Sequence, residues 1–328
     1  MYEIPKTARV TVLTGPKKIE VMELPVPEIN DDEILVKVEQ TGICGTDVHE
    51  YKEDPFGYIP IELGHEGTGT IVKLGKKVVT GLKPCGVCDV CKYDPEHIHL
   101  CEGGEIFGLI PGEEAYKNFN GWFAEYIKIN AGGVVFNVSD MDLDLRTLIE
   151  PAAVTIHAVE KAKEIFNFKH NSYVLIQGCG PIGLLLLAVV RTMGVRNIIA
   201  VDGDDNRLAM AEKLGAAYSV NFIKEDALAK VKEITGTGAE MAFQCTGSPK
   251  AASTIWKYVR RGGSMCELGF FVDNGDTTYN PHQDICNKEI KVTGSWTYQA
   301  KDWIHACEFL KEAQKDGLPV EELLSHKY

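Results

Sequence analysis

Short runs of apolar or alternating residues open the chain: Val10-Thr11-Val12-Leu13, Ile34-Leu35-Val36-Lys37-Val38 and Thr70-Ile71-Val72. Turn formers separate them, with Thr14-Gly15-Pro16 after the first and Asn30-Asp31-Asp32 before the second. Runs of this length and punctuation predict a β-rich barrel or sandwich rather than helical layers. More β pattern follows Gly121-Trp122-Phe123-Ala124-Glu125-Tyr126, and the period changes near Glu150-Pro151-Ala152-Ala153. From Ala152 to Lys163, Ala, Val and Ile recur at helical spacing, and the linker between two domains is placed there.

The second half alternates strand and helix. Tyr173-Val174-Leu175-Ile176-Gln177 reads as a buried strand, and Pro181 to Met193 as a helix with proline at its start and Gly194 past its end. Asn197-Ile198-Ile199-Ala200-Val201 is the next strand, followed by a helix from about Asn206 to Leu214. Tyr218-Ser219-Val220, Met241 to Cys245 and Ser264 to Leu268 are further strand candidates, with helices between them. Strands spaced by helices predict a doubly wound parallel sheet.

At 328 residues the chain is long enough for about two domains. A hydrophobic content of 45% with 25% charged residues places it among globular proteins and excludes a disordered class. The formal net charge of −13 argues against nucleic acid, which demands a concentrated basic surface. The start, Met1-Tyr2-Glu3-Ile4-Pro5, has no secretory pattern. The longest apolar run, Ile182 to Val190, is interrupted by Gly183 and is shorter than a bilayer span. The expectation is a cytoplasmic protein with no membrane partner.

Ten cysteines in such a chain point to metal rather than disulfides. Cys85, Cys88 and Cys91 follow a Cys-x2-Cys-x2-Cys pattern, with nine residues before Cys101. Four thiolates can close a tetrahedral shell around structural zinc, although His97 and His99 in the same lobe leave a mixed shell open. A second set is split between two stretches, Cys44-Gly45-Thr46-Asp47-Val48-His49 and Gly64-His65-Glu66. Thiolate and imidazole are suited to zinc, and catalytic zinc keeps a position open beside three protein ligands. The third ligand is Glu66, adjacent to His65, or Glu150, before the second half begins.

Gly178-Cys179-Gly180-Pro181-Ile182-Gly183 lies between the first strand and helix of that half. Glycines there allow a tight turn, admit a pyrophosphate to the backbone and let helix pack on strand. Asp202 follows nineteen residues beyond Gly183, at the end of the next strand. An acid at that place accepts from ribose hydroxyls and repels a 2′-phosphate, so NAD is favoured over NADP, with Arg207 close enough to soften the repulsion.

Together these motifs resemble the zinc-dependent medium-chain alcohol and polyol dehydrogenases along essentially the whole chain. The resemblance implies α/β plus β architecture: a GroES-like β-rich catalytic domain over residues 1–152 with a structural-zinc lobe at about 84–102, and a Rossmann NAD-binding domain over 153–288. Residues 289–328 would form a return segment towards the first domain, shorter than in relatives. Lys76-Lys77-Val78-Val79 occupies the place of a longer loop, and the fourth lobe cysteine comes later than usual. Glu150-Pro151 matches the branch of sorbitol, threonine and butanediol dehydrogenases, which has glutamate where alcohol dehydrogenases of the other branch carry cysteine.

In this family the active site is the cleft between the domains. Zinc on Cys44, His65 and one of the carboxylates would acidify a substrate hydroxyl, Thr46 would take its proton, and His49 would release it through the nicotinamide ribose. Asp47 would orient His65, and His157 would be structural. The loops Cys245-Thr246-Gly247-Ser248 and Gly269-Phe270-Phe271 would border the nicotinamide. The expected substrate is a polyol or vicinal diol, with Tyr51, Phe56, Trp122 and Phe123 as candidate lining. L-threonine is the runner-up, and a catalytically silent NAD-binding module or a zinc-free quinone reductase are the competing readings. A dimer or tetramer is expected, joined along an exposed sheet edge near Gly269-Phe270-Phe271.

Overall fold

The computed structural model describes residues 3–328. Contacts divide it into two compact units, one of the residues up to Glu150 with Tyr298–Cys307, the other of Pro151–Thr297 with Glu308–Tyr328. Among the described residues no helix is long and apolar enough to cross a membrane.

The first unit is built on β1 (Thr7–Gly15), β2 (Lys18–Pro25), β3 (Ile34–Thr41), β4 (Ile61–Glu62), β5 (Gly67–Ile71), β6 (Lys77–Thr80), β7 (Tyr126–Ile129) and β8 (Val135–Asn137). Its helices are short: α1 (Gly45–Glu53), α2 (Asp89–Tyr93), α3 (Glu113–Lys117) and α4 (Leu143–Thr147). The strands form two antiparallel sheets, β2-β1-β4 and β7-β3-β5-β6-β8. Period-two alternation is plain in β1, where Ala8, Val10 and Val12 are buried and Thr7 and Arg9 are exposed. Val10 and Val12 join Leu35, Phe119 and Tyr126 in one core, and Val36, Val78, Ile127, Ile129 and Trp122 form another. At the short Lys76 stretch, a tight turn joins β5 to β6, with Ile71 N–H donating to Lys76 O at 2.8 Å.

The second unit carries α5 (Ile149–Lys163), β9 (Tyr173–Gln177), α6 (Pro181–Thr192), β10 (Asn197–Asp202), α7 (Asp205–Lys213), β11 (Tyr218–Asn221), α8 (Ala227–Thr235), β12 (Ala239–Gln244), α9 (Pro249–Tyr258), β13 (Val259–Glu267), β14 (Lys291–Gly294) and α10 (Ala300–Lys315). The first residues of α5 and α10 pack with the other unit. All six strands run parallel in the order β11-β10-β9-β12-β13-β14. The order reverses between β9 and β12, which makes that junction the sheet's switch point. β9 is a continuous apolar run because the sheet buries it on both faces, with Val174, Leu175 and Ile176 fully buried.

Three sequence expectations differ from this arrangement. α5 begins at Ile149, so Glu150 sits in its first turn instead of ahead of it. Residues 289–328 do not act as one segment: Lys291–Gly294 completes the parallel sheet and only Tyr298–Cys307 packs with the first unit. The anchor is Trp303, 1% exposed, stacked on Phe136 at 5.4 Å and meeting Tyr298 edge-on at 5.2 Å. The edge strand on that side of the sheet is β14, because its pairing with Ser264–Glu267 covers β13, and Gly269–Phe271 lie in the loop beyond.

Candidate active site

One carboxylate assembles the first metal-ligating group. Asp47, 3% exposed on the inner face of α1, accepts the Cys44 N–H through Oδ2 at 2.9 Å and the Gly64 N–H through Oδ1 at 3.2 Å. The two stretches carrying the candidate ligands are thereby fastened to each other. Asp47 Oδ1 also lies 3.5 Å from His65 Nδ1, which leaves the other ring nitrogen for the Cys44 side. One donor atom each from Cys44, His65 and Glu66 falls within 4.8 Å of the other two.

Electrostatics make this group suited to a cation. Burial and the charge of Glu66 push the Cys44 thiol up. Burial likewise raises the Glu66 carboxyl, and it drives Glu150 up to about 8. His65 is lowered by burial but raised more strongly by Asp47 and Cys44. Three acids that discourage one another's ionisation around one imidazole are relieved by a bound divalent ion. The residues fit zinc in number and type, since catalytic zinc takes three protein donors of these kinds.

Glu150 is outside that three-donor group and close enough to His65 and Glu66 to feel their charge. Its carboxylate accepts from the phenol of Tyr298, which is buried and itself raised well above its ordinary value by that burial and by Glu150. Sequence reasoning missed Tyr298, since it lies far along the chain in no motif and only the fold returns it. Thr46 Oγ1 is 3.6 Å from Cys44 Sγ. His49, half-buried, is three residues further along α1 and therefore on the same face as Thr46.

The cysteine lobe forms a second group. Sγ–Sγ distances are 3.9 Å for Cys85–Cys91, 3.5 Å for Cys88–Cys91, 3.7 Å for Cys88–Cys101 and 3.5 Å for Cys91–Cys101. Sulfurs about 2.3 Å from a central zinc form a tetrahedron with edges of about 3.8 Å, so the cluster has the size of a closed four-thiolate shell. Cys85 Sγ also accepts from the Val87 and Cys88 amides, both at 3.4 Å. The histidines stand apart from the four sulfurs: His97 pairs with Asp94 at 2.9 Å, and neither ring belongs to the cluster.

In the second unit, Gly178 takes φ +94° and donates to Val201 O at 2.8 Å, turning the chain sharply out of β9. A Cβ on Gly178 would strike Thr246, and one on Gly183 would strike the Gly178 carbonyl. Around Gly180 the position is different, since a Cβ there would meet no protein atom within 4 Å. That open space lies at the N-terminus of α6, with Pro181 in its first turn and Ile182 half-buried behind, and it fits a pyrophosphate. Asp202, buried at the end of β10, accepts from Cys179 N at 2.7 Å and Asp204 N at 2.9 Å, with Arg207 NH1 3.9 Å away. Cys245 and Thr246 follow β12, and Gly269, Phe270 and Phe271 follow β13, at the same carboxyl edge of the sheet.

Trp122, expected among the substrate lining, is instead 1% exposed and belongs to the core with Val36 and Ile127. Tyr51 and Phe123 pack on Leu13, Ile61 and Leu63, and Phe56 stacks on Tyr58 at 5.3 Å. His157 is buried along α5.

Comparisons with known proteins agree with both halves of this description. The family model described as alcohol dehydrogenase GroES-like domain matches residues 30–140, and the one described as zinc-binding dehydrogenase matches residues 181–312. Sorbitol dehydrogenase of Bacillus subtilis is 32% identical, over 94% of this chain and 87% of its own. L-threonine 3-dehydrogenase of Bacillus velezensis is 31% identical, over 91% of this chain and 86% of its own. A solved alcohol dehydrogenase from Thermotoga maritima superposes with a TM-score of 0.85 at 26% identity, covering 97% of this chain and 96% of its own. The chain belongs to the zinc-dependent medium-chain dehydrogenases, in which a GroES-like unit accompanies a Rossmann unit. It is accordingly a zinc- and nicotinamide-dependent oxidoreductase.

Proposed function

We propose that this enzyme oxidises a secondary hydroxyl of a neutral polyol or vicinal diol to the ketone, with NAD as acceptor. The observation carrying the proposal is the contrast between two donor sets in one unit: four thiols that close on themselves, and a Cys44–His65–Glu66 group of only three donors. The first set suits structural zinc, the second catalytic zinc with a place kept for substrate. Zinc held there supplies the Lewis acidity that makes an alcohol ionisable near neutral pH, and NAD supplies the hydride acceptor. Thr46 carries the hydroxyl that takes the substrate's proton, and His49 hands it to solvent. Glu150, held by Tyr298, offers a buried carboxyl group as hydrogen-bonding partner for a second hydroxyl, which supports a diol over a simple alcohol.

NAD is preferred to NADP on the strength of Asp202, whose carboxylate is fixed by two backbone amides where a ribose 2′ substituent would come. L-threonine is the second reading, because a buried carboxylate such as Glu150 also suits an ammonium beside the reacting hydroxyl. A homo-oligomer joined along the exposed edge of β14, acting in the cytoplasm, completes the proposal, and light scattering checks the assembly. The deciding experiment is NAD and NADP reduction measured over a panel of polyols, diols and L-threonine, with and without a chelator. Chelator-sensitive NAD reduction by a polyol or diol is expected. Full zinc content with no turnover of any substrate would instead make the chain a silent dinucleotide-binding module.

A further inference from the structure

The switch point between β9 and β12 divides the dinucleotide site. Asp202 at the end of β10 marks the adenosine half, so the other half lies over β12 and β13. There, Gln244 is fully buried, donates to Thr246 O at 2.7 Å and accepts from the Thr246 amide. Asn274 Nδ2 donates to Gly247 O at 3.1 Å, drawing the two loops together. Glu267, the last residue of β13, accepts the Gly269 N–H through Oε1 at 2.8 Å. A neutral glutamine keeps an acceptor for that amide, although a charged carboxylate is the stronger one, so the loop contact by itself does not require a charge.

The groups around Glu267 do not neutralise it. Cys245, after β12, and Cys266, on β13, are both raised by burial and remain thiols. From the β14 side, Gly294 pairs with Glu267 in the ladder and the Ser295 N–H donates to the Glu267 carbonyl at 2.9 Å. Lys161 of α5, which acts on Cys266, is paired with Glu164 at 2.8 Å. Among the described residues Glu267 forms no ion pair.

We propose that Glu267 is an electrostatic selector for the oxidised cofactor. The nicotinamide ring is cationic when oxidised and neutral when reduced, so a carboxylate at the rim of its half of the site weights binding towards NAD+ over NADH. The inference rests on the dinucleotide reading above. Burial holds the Glu267 carboxyl at about 7, against the pull of the Gly269 and Leu268 amides, so a cationic ring draws a proton off it near neutral pH and a neutral ring does not.

The test measures Kd for NAD+, NADH and ADP-ribose on the zinc-loaded protein and on Glu267→Gln, at pH 8. NAD+ is expected to weaken about fivefold or more in the variant, a coupling of ordinary size, while NADH and ADP-ribose stay within about twofold. Equal losses on all three ligands would make Glu267 a brace for the Gly269 loop and overturn its role as a charge, as would an unchanged NAD+ to NADH ratio. Failure of wild type to bind any of the three would refute the dinucleotide reading instead. If the variant does not fold, calorimetry of wild type in buffers of different ionisation heat decides: proton release at pH 7 on binding NAD+ but not NADH is expected, and equal release for both overturns the proposal.

Discussion

Replacement of Gly180 by alanine separates what the fold requires from what the cofactor requires. The backbone there has φ −70°, open to any residue, and the added methyl meets no protein atom within 4 Å. As the N-cap of α6 the substitution costs some tenths of a kcal/mol or more, partly offset by lower entropy of the unfolded chain, so stability changes by less than about 1 kcal/mol. The methyl occupies the space a pyrophosphate needs to reach the amides at the start of α6. One lost hydrogen bond to a charged group is worth about 1.5–3 kcal/mol, or roughly a 10- to 100-fold weaker dinucleotide. Gly183→Ala is the contrasting case: its Cβ collides with the Gly178 carbonyl, and the overpacking costs about 1–3 kcal/mol of stability. Fluorescence titration with NADH beside thermal melts of both variants reads the two effects. A Gly180→Ala protein that bound NADH within twofold of wild type, or melted as early as Gly183→Ala, would refute the reasoning.

Trp303→Ala should cost about 3–5 kcal/mol in urea unfolding, since it empties the stack between Phe136 and Tyr298. Cys88→Ser should remove one zinc equivalent by metal analysis and leave the other, because the two donor sets share no residue. Gly42→Ala places a Cβ 3.1 Å from that of Glu66 and closer still to its carboxylate. Zinc affinity at the three-donor site should drop at least about tenfold in competition with a chromogenic chelator. Glu50, fully buried and raised by that burial and by Asp54 to about 7 from an ordinary 4.5, favours the fold while protonated. Its contribution is complete below pH 4.5 and lost as pH climbs to 7, on the order of 2 kcal/mol, and Glu50→Gln should flatten that slope in denaturant titrations across the interval.

Where one physical cause dominated, the chain was legible. The apolar run marks β9 to the residue because a strand buried on both faces is continuously apolar, and the sequence marks α6 to within one because proline opens it and Gly194 ends it. The start of β13 is hidden because Arg260-Arg261-Gly262-Gly263 looks like a turn, and β14 because an outer strand of four largely exposed residues has no apolar pattern. At the metal site the ligand types stood out, but the choice between Glu66 and Glu150 depends on which carboxylate the fold swings towards Cys44. Glu66 enters that group and Glu150 is held by Tyr298, a partner that only long-range packing supplies.

Asp47 has a practical consequence for handling the protein. Because the hydrogen bonds that its carboxylate accepts from the Cys44 and Gly64 amides are made between protein atoms, the three-donor group should keep its shape when stripped of metal and be rechargeable in a folded chain. The lobe is gathered chiefly by its own sulfurs, so emptying it loosens the strap from Cys85 to Cys101 and leaves four thiols open to air. Mild chelation should therefore give dormant enzyme that recovers with added zinc, and prolonged chelation enzyme that does not.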